Sequence, residues 1–330
     1  MAQPDQPDTP IDALIDAPVD AIVIGRNEGD RLIACLTSLQ GQVAQLIYVD
    51  SGSTDGSAQA ARDLGAQVVD LDMTQPFTAA RARNAGLALS QAAYVQFVDG
   101  DCVVDANWIA TAAQFLARTP EAAVACGRRR EIHPQASLYN RLCDIEWDTP
   151  VGPALACGGD ALMRRDALAQ IGGYRPDLIA GEEPELCVRL RQAGWTIWRL
   201  DAEMTRHDAA ITRFGQWWKR SRRAGHAFAQ GAALHSAPPE RHWVAETRRA
   251  LLWGAALPAL ILLLTLIHPW ALALALIYPV QVLRLWRRQS QHGPGWAVFT
   301  VLGKFPEALG ALQYHLTRLR GGQSRIVEYK

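Results

Sequence analysis

The sequence predicts an α/β fold, a mainly parallel sheet with flanking helices, followed by a C-terminal apolar helical hairpin. Two patterns carry that reading. Residues 20 to 130 alternate short apolar runs with stretches of helical period, and residues 250–267 and 271–283 are largely apolar. A third observation adds chemistry to the fold. Several apolar runs end on an aspartate, and open parallel sheets bind ligands outside the carboxyl ends of their strands.

Taken in order, the chain opens with "MAQPDQPDTPIDALIDAPVD", which is acidic, proline-rich and without a basic start or long apolar stretch. It does not read as a secretory signal, and residues 1–18 are expected to be loosely ordered. Strands are expected at "DAIVIG", "QLIYVD", "AQVVDLD", "AYVQFVD" and "AAVACG". Between the first two, Leu32, Cys35, Leu36 and Leu39 form an i, i+3, i+4, i+7 stripe that predicts a helix. "SAQAARDLG" and "ARARNAGLALSQA" are helix-like too, with alanine blurring their stripes. Strand, helix and strand at this spacing make βαβ units. Further on, "EPELCVRLRQAG" predicts a helix and "WTIWRL" a short strand.

The character changes at Arg248. Arg248 and Arg249 precede the two apolar runs, and Arg284, Arg287 and Arg288 follow them. Positive flanks on both sides put both ends on the cytoplasmic side, so a hairpin dipping into or across the bilayer is expected. A buried helical pair in a soluble domain is the alternative. Residues 295–316, interrupted by Lys304, Pro306 and Glu307, suit an interfacial helix or a strained third span. The expected domains are therefore a tail (1–18), a sheet domain (19–231) and a membrane-associated helical region (232–330).

Composition sets limits. The 33 basic and 33 acidic residues cancel, which argues against a nucleic-acid partner. The six cysteines show no C-x-x-C spacing and read as reduced, buried thiols of a cytosolic domain.

Two strand ends carry the chemistry. "YVDSGSTDGS" leaves its strand on Asp50 and continues with small residues and glycines that allow close backbone approach. "VDGDC" supplies Asp99 and Asp101, which face the same way in an extended segment and can converge on one hard cation, Mg²⁺ or Mn²⁺, with phosphate oxygens completing its shell. A turn or capping pair has the same composition in isolation.

In this order, "VIGRNEGDRL", "VDSGSTDGS", "ARARNAGL", "VDGD", "GGD" (158–160) and "GEEPEL" (181–186) resemble the motifs of the family 2 glycosyltransferases, of the membrane-associated bacterial type. The resemblance runs from about Asp20 to Gly231 and implies the GT-A fold. It implies that Asp50, with Ser51 beside it, contacts the nucleotide base and that Asn27 and Glu28 belong to the nucleotide loop. It also implies that Arg81 or Arg83 lies near the diphosphate and Asp160 near acceptor or sugar hydroxyls. Asp101, helped by Asp99, holds the metal, and His207 falls where some members place a third ligand. The family's usual Glu-Asp pair reads Glu182-Glu183 here. That makes Glu183 the candidate general base and leaves the choice between the two open. The same glutamates also suit a helix N-terminus.

The Q-x-x-R-W pattern of processive members is not met after Gln216. Lys219, Arg220, Arg222 and Arg223 are left to contact the diphosphate, a lipid phosphate or anionic head groups, or simply to form a solvated face. The resemblance as a whole implies an inverting transfer from a nucleotide-sugar donor to a hydroxyl of a lipid-linked or envelope glycan. It would occur at the cytoplasmic (inner) membrane with the catalytic domain facing the cytoplasm. A non-catalytic, nucleotide-sugar-binding membrane scaffold is the alternative. A sugar-phosphate nucleotidyltransferase ranks low, because no glycine-rich basic loop follows "AIVIG".

Overall fold

The computed structural model describes residues 17–321. The expected loose tail therefore lies, but for its last two residues, outside the described residues. Nine strands form one sheet: β1 (Val19–Gly25), β2 (Gln45–Asp50), β3 (Gln67–Asp70), β4 (Tyr94–Asp99), β5 (Cys102–Val104), β6 (Ala122–Glu131), β7 (Gly152–Ala154), β8 (Ala161–Arg164) and β9 (Thr196–His207). Their order is β3-β2-β1-β4-β8-β6-β9-β5, with β7 on β9.

The first half of the sheet is the expected parallel one. β3, β2, β1 and β4 pair in parallel, joined through the helices Asp30–Leu39, Ser57–Asp63 and Ala79–Leu87. The predicted stripe of Leu32, Cys35, Leu36 and Leu39 is fully buried. At Gly86 an added Cβ would come within 2.4 Å of Ile22, so the third helix lies close on the sheet only because the residue is glycine. Asp20, an acid at the start of a buried strand, accepts bonds from the Ser90 hydroxyl and the Gln91 and Ala92 amides. It thereby ties β1 to the approach to β4.

In the second half β6 and β9 also pair in parallel, as expected, and short antiparallel strands are inserted around them. β8 runs antiparallel to β4 and β6, and β5 and β7 run antiparallel to β9. These three strands are three or four residues long, too short to show a period of their own. Parallel pairing requires a long crossover between strands, whereas short antiparallel insertions do not.

The chain divides into two compact units that interleave along the sequence. The first comprises residues 1–132, 147–176 and 186–208, and holds the sheet; the second comprises 133–146, 177–185 and 209–330. In the second unit the helix Phe214–Leu234 packs on Lys304–Leu319 through bare backbone. An added Cβ would sit 2.0 Å from the Glu307 carbonyl at Gly225, and 1.9 Å from that of Arg222 at Gly310. The segment left open between an interfacial helix and a third span thus forms two helices, Gly293–Leu302 and Lys304–Leu319, and the latter buries Pro306, Ala308, Gly310 and Ala311. Val244–Ile267 and Pro269–Arg288 are long and apolar enough to cross a membrane by length and composition. Leu266 and Ile267 are 83% and 81% exposed.

Candidate functional site

Parallel register aligns the acids at one edge. Gly25 at the end of β1 pairs with Asp50, and Ile24 pairs with Asp99. The carboxyl ends of β2, β1 and β4 therefore present Asp50 and Asp99 on either side of the loop that leaves β1.

That loop and the one after β2 are fastened together. The Asn27 amide donates to Ser53 Oγ at 2.9 Å, and Asn27 Oδ1 accepts from the Thr54 amide at 2.7 Å. Asn27 stands at φ 55°, a left-handed conformation that asparagine tolerates better than most residues. Asp50 is buried and accepts from the Tyr48 hydroxyl (2.9 Å) and from the amides of Gly52 (3.0 Å) and Ser53 (2.8 Å). Its carboxylate thus shapes the opening loop from within. The Ser51 amide extends the ladder to the Gly25 carbonyl at 3.0 Å. Glu28 pairs with Arg31 at 2.7 Å, and Arg31 also reaches Asp208 at 3.5 Å.

Around Asp99 the structure assembles a buried ionic network. Asp99 takes Arg83 Nη2 on Oδ1 at 2.8 Å and Arg129 Nη2 on Oδ2 at 3.3 Å. Arg129 Nε and Nη2 bond Asp160 Oδ2 at 2.8 and 2.7 Å, the Thr205 hydroxyl donates to the same oxygen at 2.7 Å, and Asp160 Oδ1 accepts the Asp99 amide. Asp160 is wholly buried. Burial opposes the charge on Arg129, yet the neighbouring anions, Asp160 foremost, raise the guanidinium well above its ordinary value. Gly159 is small for a stated reason, because a Cβ there would lie 2.6 Å from Asp99 Oδ2 and 2.7 Å from Arg83 Nη2. The network brings together Arg83, Asp99 and Asp160 of the residues expected from sequence. Arg81 goes elsewhere, donating to the carbonyls of Asp72, Gln75 and Pro76.

Beside it lies a candidate cation site, Asp101, Cys102 and His207. β5 pairs Cys102 with His207, the last residue of β9, and the Asp208 amide donates to the Asp101 carbonyl. That register brings His207 Nε2 to 3.1 Å from Asp101 Oδ1. The carboxylate, the Cys102 thiol and the imidazole offer ligand atoms within 4.8 Å of one another. Burial, with Arg129 second, pushes His207 down to about 4, so the ring is neutral and keeps a lone pair at neutral pH. Its Nδ1, on the other side of the ring from the nitrogen that meets Asp101, is buried without a hydrogen-bond partner. Burial, then the charge of Asp160, raises the Cys102 thiol well above its usual value, so it stays protonated. An oxygen and nitrogen donor pair remains, which fits Mn²⁺ or Mg²⁺. Both Asp99 oxygens are engaged by arginines, while Asp101 and His207 are engaged with each other.

Arg129, Thr205, Arg31 and Trp147, whose ring lies 4.7 Å from that of His207, were missed in the sequence. Arg129 had one signal. It is the middle of three arginines on a strand, so it points to the face opposite its neighbours, and Arg130 pairs outside with Glu203.

With this geometry in place, the comparisons decide the family. The profile described as "Glycosyl transferase family 2" matches residues 20–172. This stretch is a family 2 glycosyltransferase domain. The chain is 23% identical over 220 residues to glycosyltransferase AglE of Haloferax volcanii, covering 63% of this chain and 71% of that relative. In structure, 90% of the chain matches 87% of the mannosyltransferase PcManGT from Pyrobaculum calidifontis, solved with GDP-Man and Mn²⁺, at TM-score 0.61 and 20% identity. It also matches glucosyl-3-phosphoglycerate synthase from Mycobacterium tuberculosis, solved with Mn²⁺ and UDP-glucose, at TM-score 0.51 and 16% identity, over 68% of this chain and 84% of that one. Both likenesses show the GT-A fold, with its mixed sheet and flanking helices.

The remaining candidates of this glycosyltransferase lie in the second unit. Glu182 and Glu183 open the helix Glu182–Gln192; Glu182 is buried and Glu183 half-buried. Arg220 makes a two-pronged pair with Glu146, both bonds at 2.8 Å. Gln216 accepts the Thr212 and Arg213 amides at 3.0 Å, which is helix capping.

Proposed function

We propose that this protein is an inverting glycosyltransferase that moves a sugar from a nucleoside-diphosphate sugar to an acceptor hydroxyl. The observation that carries the reading is the carboxyl edge of the sheet. There a buried Asp50 loop, the Arg83–Asp99–Arg129–Asp160 network and the Asp101–His207 pair follow one another in the family's order. Proteins of the same fold hold GDP-Man or UDP-glucose with Mn²⁺, which supports a nucleotide-sugar donor and a divalent cation without choosing the base or the sugar.

Each group has a task. The Asp50 loop takes the nucleoside, its glycines letting backbone approach the ligand. Arg83 and Arg129, neutralised in the resting protein by Asp99 and Asp160, stand ready to meet a diphosphate's charge. Asp101 and His207 would hold the cation, which supplies Lewis-acid stabilisation to the leaving diphosphate. Glu183 is the base that takes the acceptor hydroxyl's proton; its partial exposure suits contact with substrate better than the burial of Glu182. Attack in a single displacement inverts the anomeric carbon.

The exposed leucines of 252–288 and their arginine flanks support seating at the cytoplasmic face of a membrane, with a lipid-linked or envelope glycan as acceptor. Release of nucleoside diphosphate from GDP-mannose, UDP-glucose and other nucleotide sugars, with Mn²⁺ and with EDTA, tests the assignment. Turnover that Asp101→Ala and Glu183→Gln each lower by about 100-fold in folded protein is expected. Donor binding with cellular function undiminished in both variants would instead establish the scaffold. Equal transfer to soluble acceptors without a lipid moiety would remove the lipid-linked acceptor.

A further inference from the structure

The turn that carries Glu182 and Glu183 is gripped at both ends by a single short segment. At its start Gly181 stands at φ 78°, and a Cβ there would meet Cη2 and Cζ3 of Trp243 at 2.7 Å. Glycine in that conformation is a natural hinge, and the indole fills the space through which it would swing. Trp243 itself adopts φ 53°, a left-handed conformation that a bulky residue keeps only where its surroundings impose it. Those surroundings are visible. The His242 ring stacks on the indole at 4.2 Å, Phe228 meets it edge-on at 5.2 Å, and Gly231 leaves room for both neighbours.

At the other end of the turn, Glu185 is 1% exposed and bonds His235 Nε2 at 3.0 Å. A carboxylate buried to that degree is held by its partner, because leaving it unpaired is costly. The two grips form one piece, since the His242 amide donates to the His235 carbonyl at 2.9 Å. Residues 235–243 are thus a strap fastened to Gly181 on one side of the two glutamates and to Glu185 on the other.

We propose that His235 and Trp243 are positioning residues that set the pose of the acidic turn, and so the direction in which Glu183 presents its carboxylate. The proposal rests on the reading of Glu183 as the base. Its physical content is simple. A base acts only within hydrogen-bond reach of the proton it removes. A turn starting at a left-handed glycine and carrying three glutamates, Glu182, Glu183 and Glu185, has both the freedom and the like-charge repulsion to drift from that position. The strap removes the freedom at Gly181 and engages one of the three acids at Glu185.

The test uses the full-length protein with Trp243→Ala, His235→Ala and the conservative Trp243→Phe and His235→Gln. Hydrogen exchange of the amides of residues 182, 183, 185 and 186, which needs no donor, is expected to speed up about tenfold or more in the alanine variants while the sheet amides stay protected. With Mn²⁺ and GDP-mannose or UDP-glucose, kcat is expected to fall by up to about 100-fold with donor KM nearly unchanged. Phenylalanine and glutamine should restore most of both signals. On a Glu183→Gln background, His235→Ala should cost no further activity. Unchanged exchange at 182, 183, 185 and 186 overturns the proposal, and so does a kcat loss that simply adds to that of Glu183→Gln. If the alanine variants do not fold, exchange in Trp243→Leu and His235→Asn, which lose the ring contact and the reach to Glu185, decides, wild-type rates in both being the overturning result. If Glu183→Gln alone keeps full activity, the base assignment falls, whereas the exchange result still judges the strap.

Discussion

In the sheet unit, the side chains that defy ordinary solvation are ions: Arg83, Asp160 and Asp101 are buried, each bonded to a partner of opposite or complementary character. The helical unit buries acids too, Glu182 and Glu185, but what sets it apart is hydrocarbon, with Leu262, Leu263, Leu266, Ile267 and Trp270 turned outward. The difference teaches where each unit spends stability. Buried ions are tolerable only as a complete set, because removing one strands its partner. Exposed leucines cost the isolated fold little, and contiguous apolar surface of this kind is where a partner or a membrane would be expected to sit.

The comparison breaks most sharply at Asp160. Asp160→Ala leaves Arg129 without its main anion and should cost about 3–5 kcal/mol, read from urea denaturation. Asp101→Ala should spare stability by comparison yet lower turnover on the order of 100-fold, about 2.7 kcal/mol, and abolish stimulation by Mn²⁺. In the helical unit the effects should appear in partitioning. Each of Leu262→Ser, Leu263→Ser and Leu266→Ser should weaken binding to lipid vesicles by about tenfold, or ~1.4 kcal/mol, with melting in detergent unchanged. Equal vesicle binding by the triple variant would break the contrast drawn here.

An effect confined to acid pH, and absent at neutral pH, belongs to His226, a buried polar group in the helical unit. Burial is the main cause that pushes His226 down to about 4; the Gln230 bond opposes it and Arg223 adds to it. The ring packs edge-on against Tyr314 of the helix Lys304–Leu319. Between about pH 4 and 6.5 the unfolded chain holds this proton and the native protein does not, so stability falls as pH drops through that window. The contribution is at most about 1.4 kcal/mol per pH unit, is absent above about 6.5, and should vanish in His226→Phe, as denaturation across pH would show.

Legibility followed the range of the interactions. β1, β2 and β4 and the helix Asp30–Leu39 were readable because their burial repeats within a few residues. β9 was read as six residues and runs for twelve, since its second half carries the exposed charges Asp201, Glu203 and Arg206 and a register shift at Met204–Thr205 breaks its alternation. Asp50, Asp99 and Asp101 stood out as acids at strand ends. Arg129 did not, because an arginine among arginines looks like surface until the partner strand is known. Arg81 and Arg83 looked equivalent in sequence; one holds a loop and the other holds Asp99.

The sequence by itself determined the βαβ half of the sheet, the acids at its rim and the two apolar helices, because periodicity and strand-end position are properties of neighbours along the chain. Only the tertiary structure decided that Asp99 is held by arginines while Asp101 meets His207, and that a strap from residues 235–243 grips the acidic turn. Those pairings join residues 16 to more than 100 positions apart, and for such pairs it is packing and burial, not sequence, that select one partner among many of the same charge.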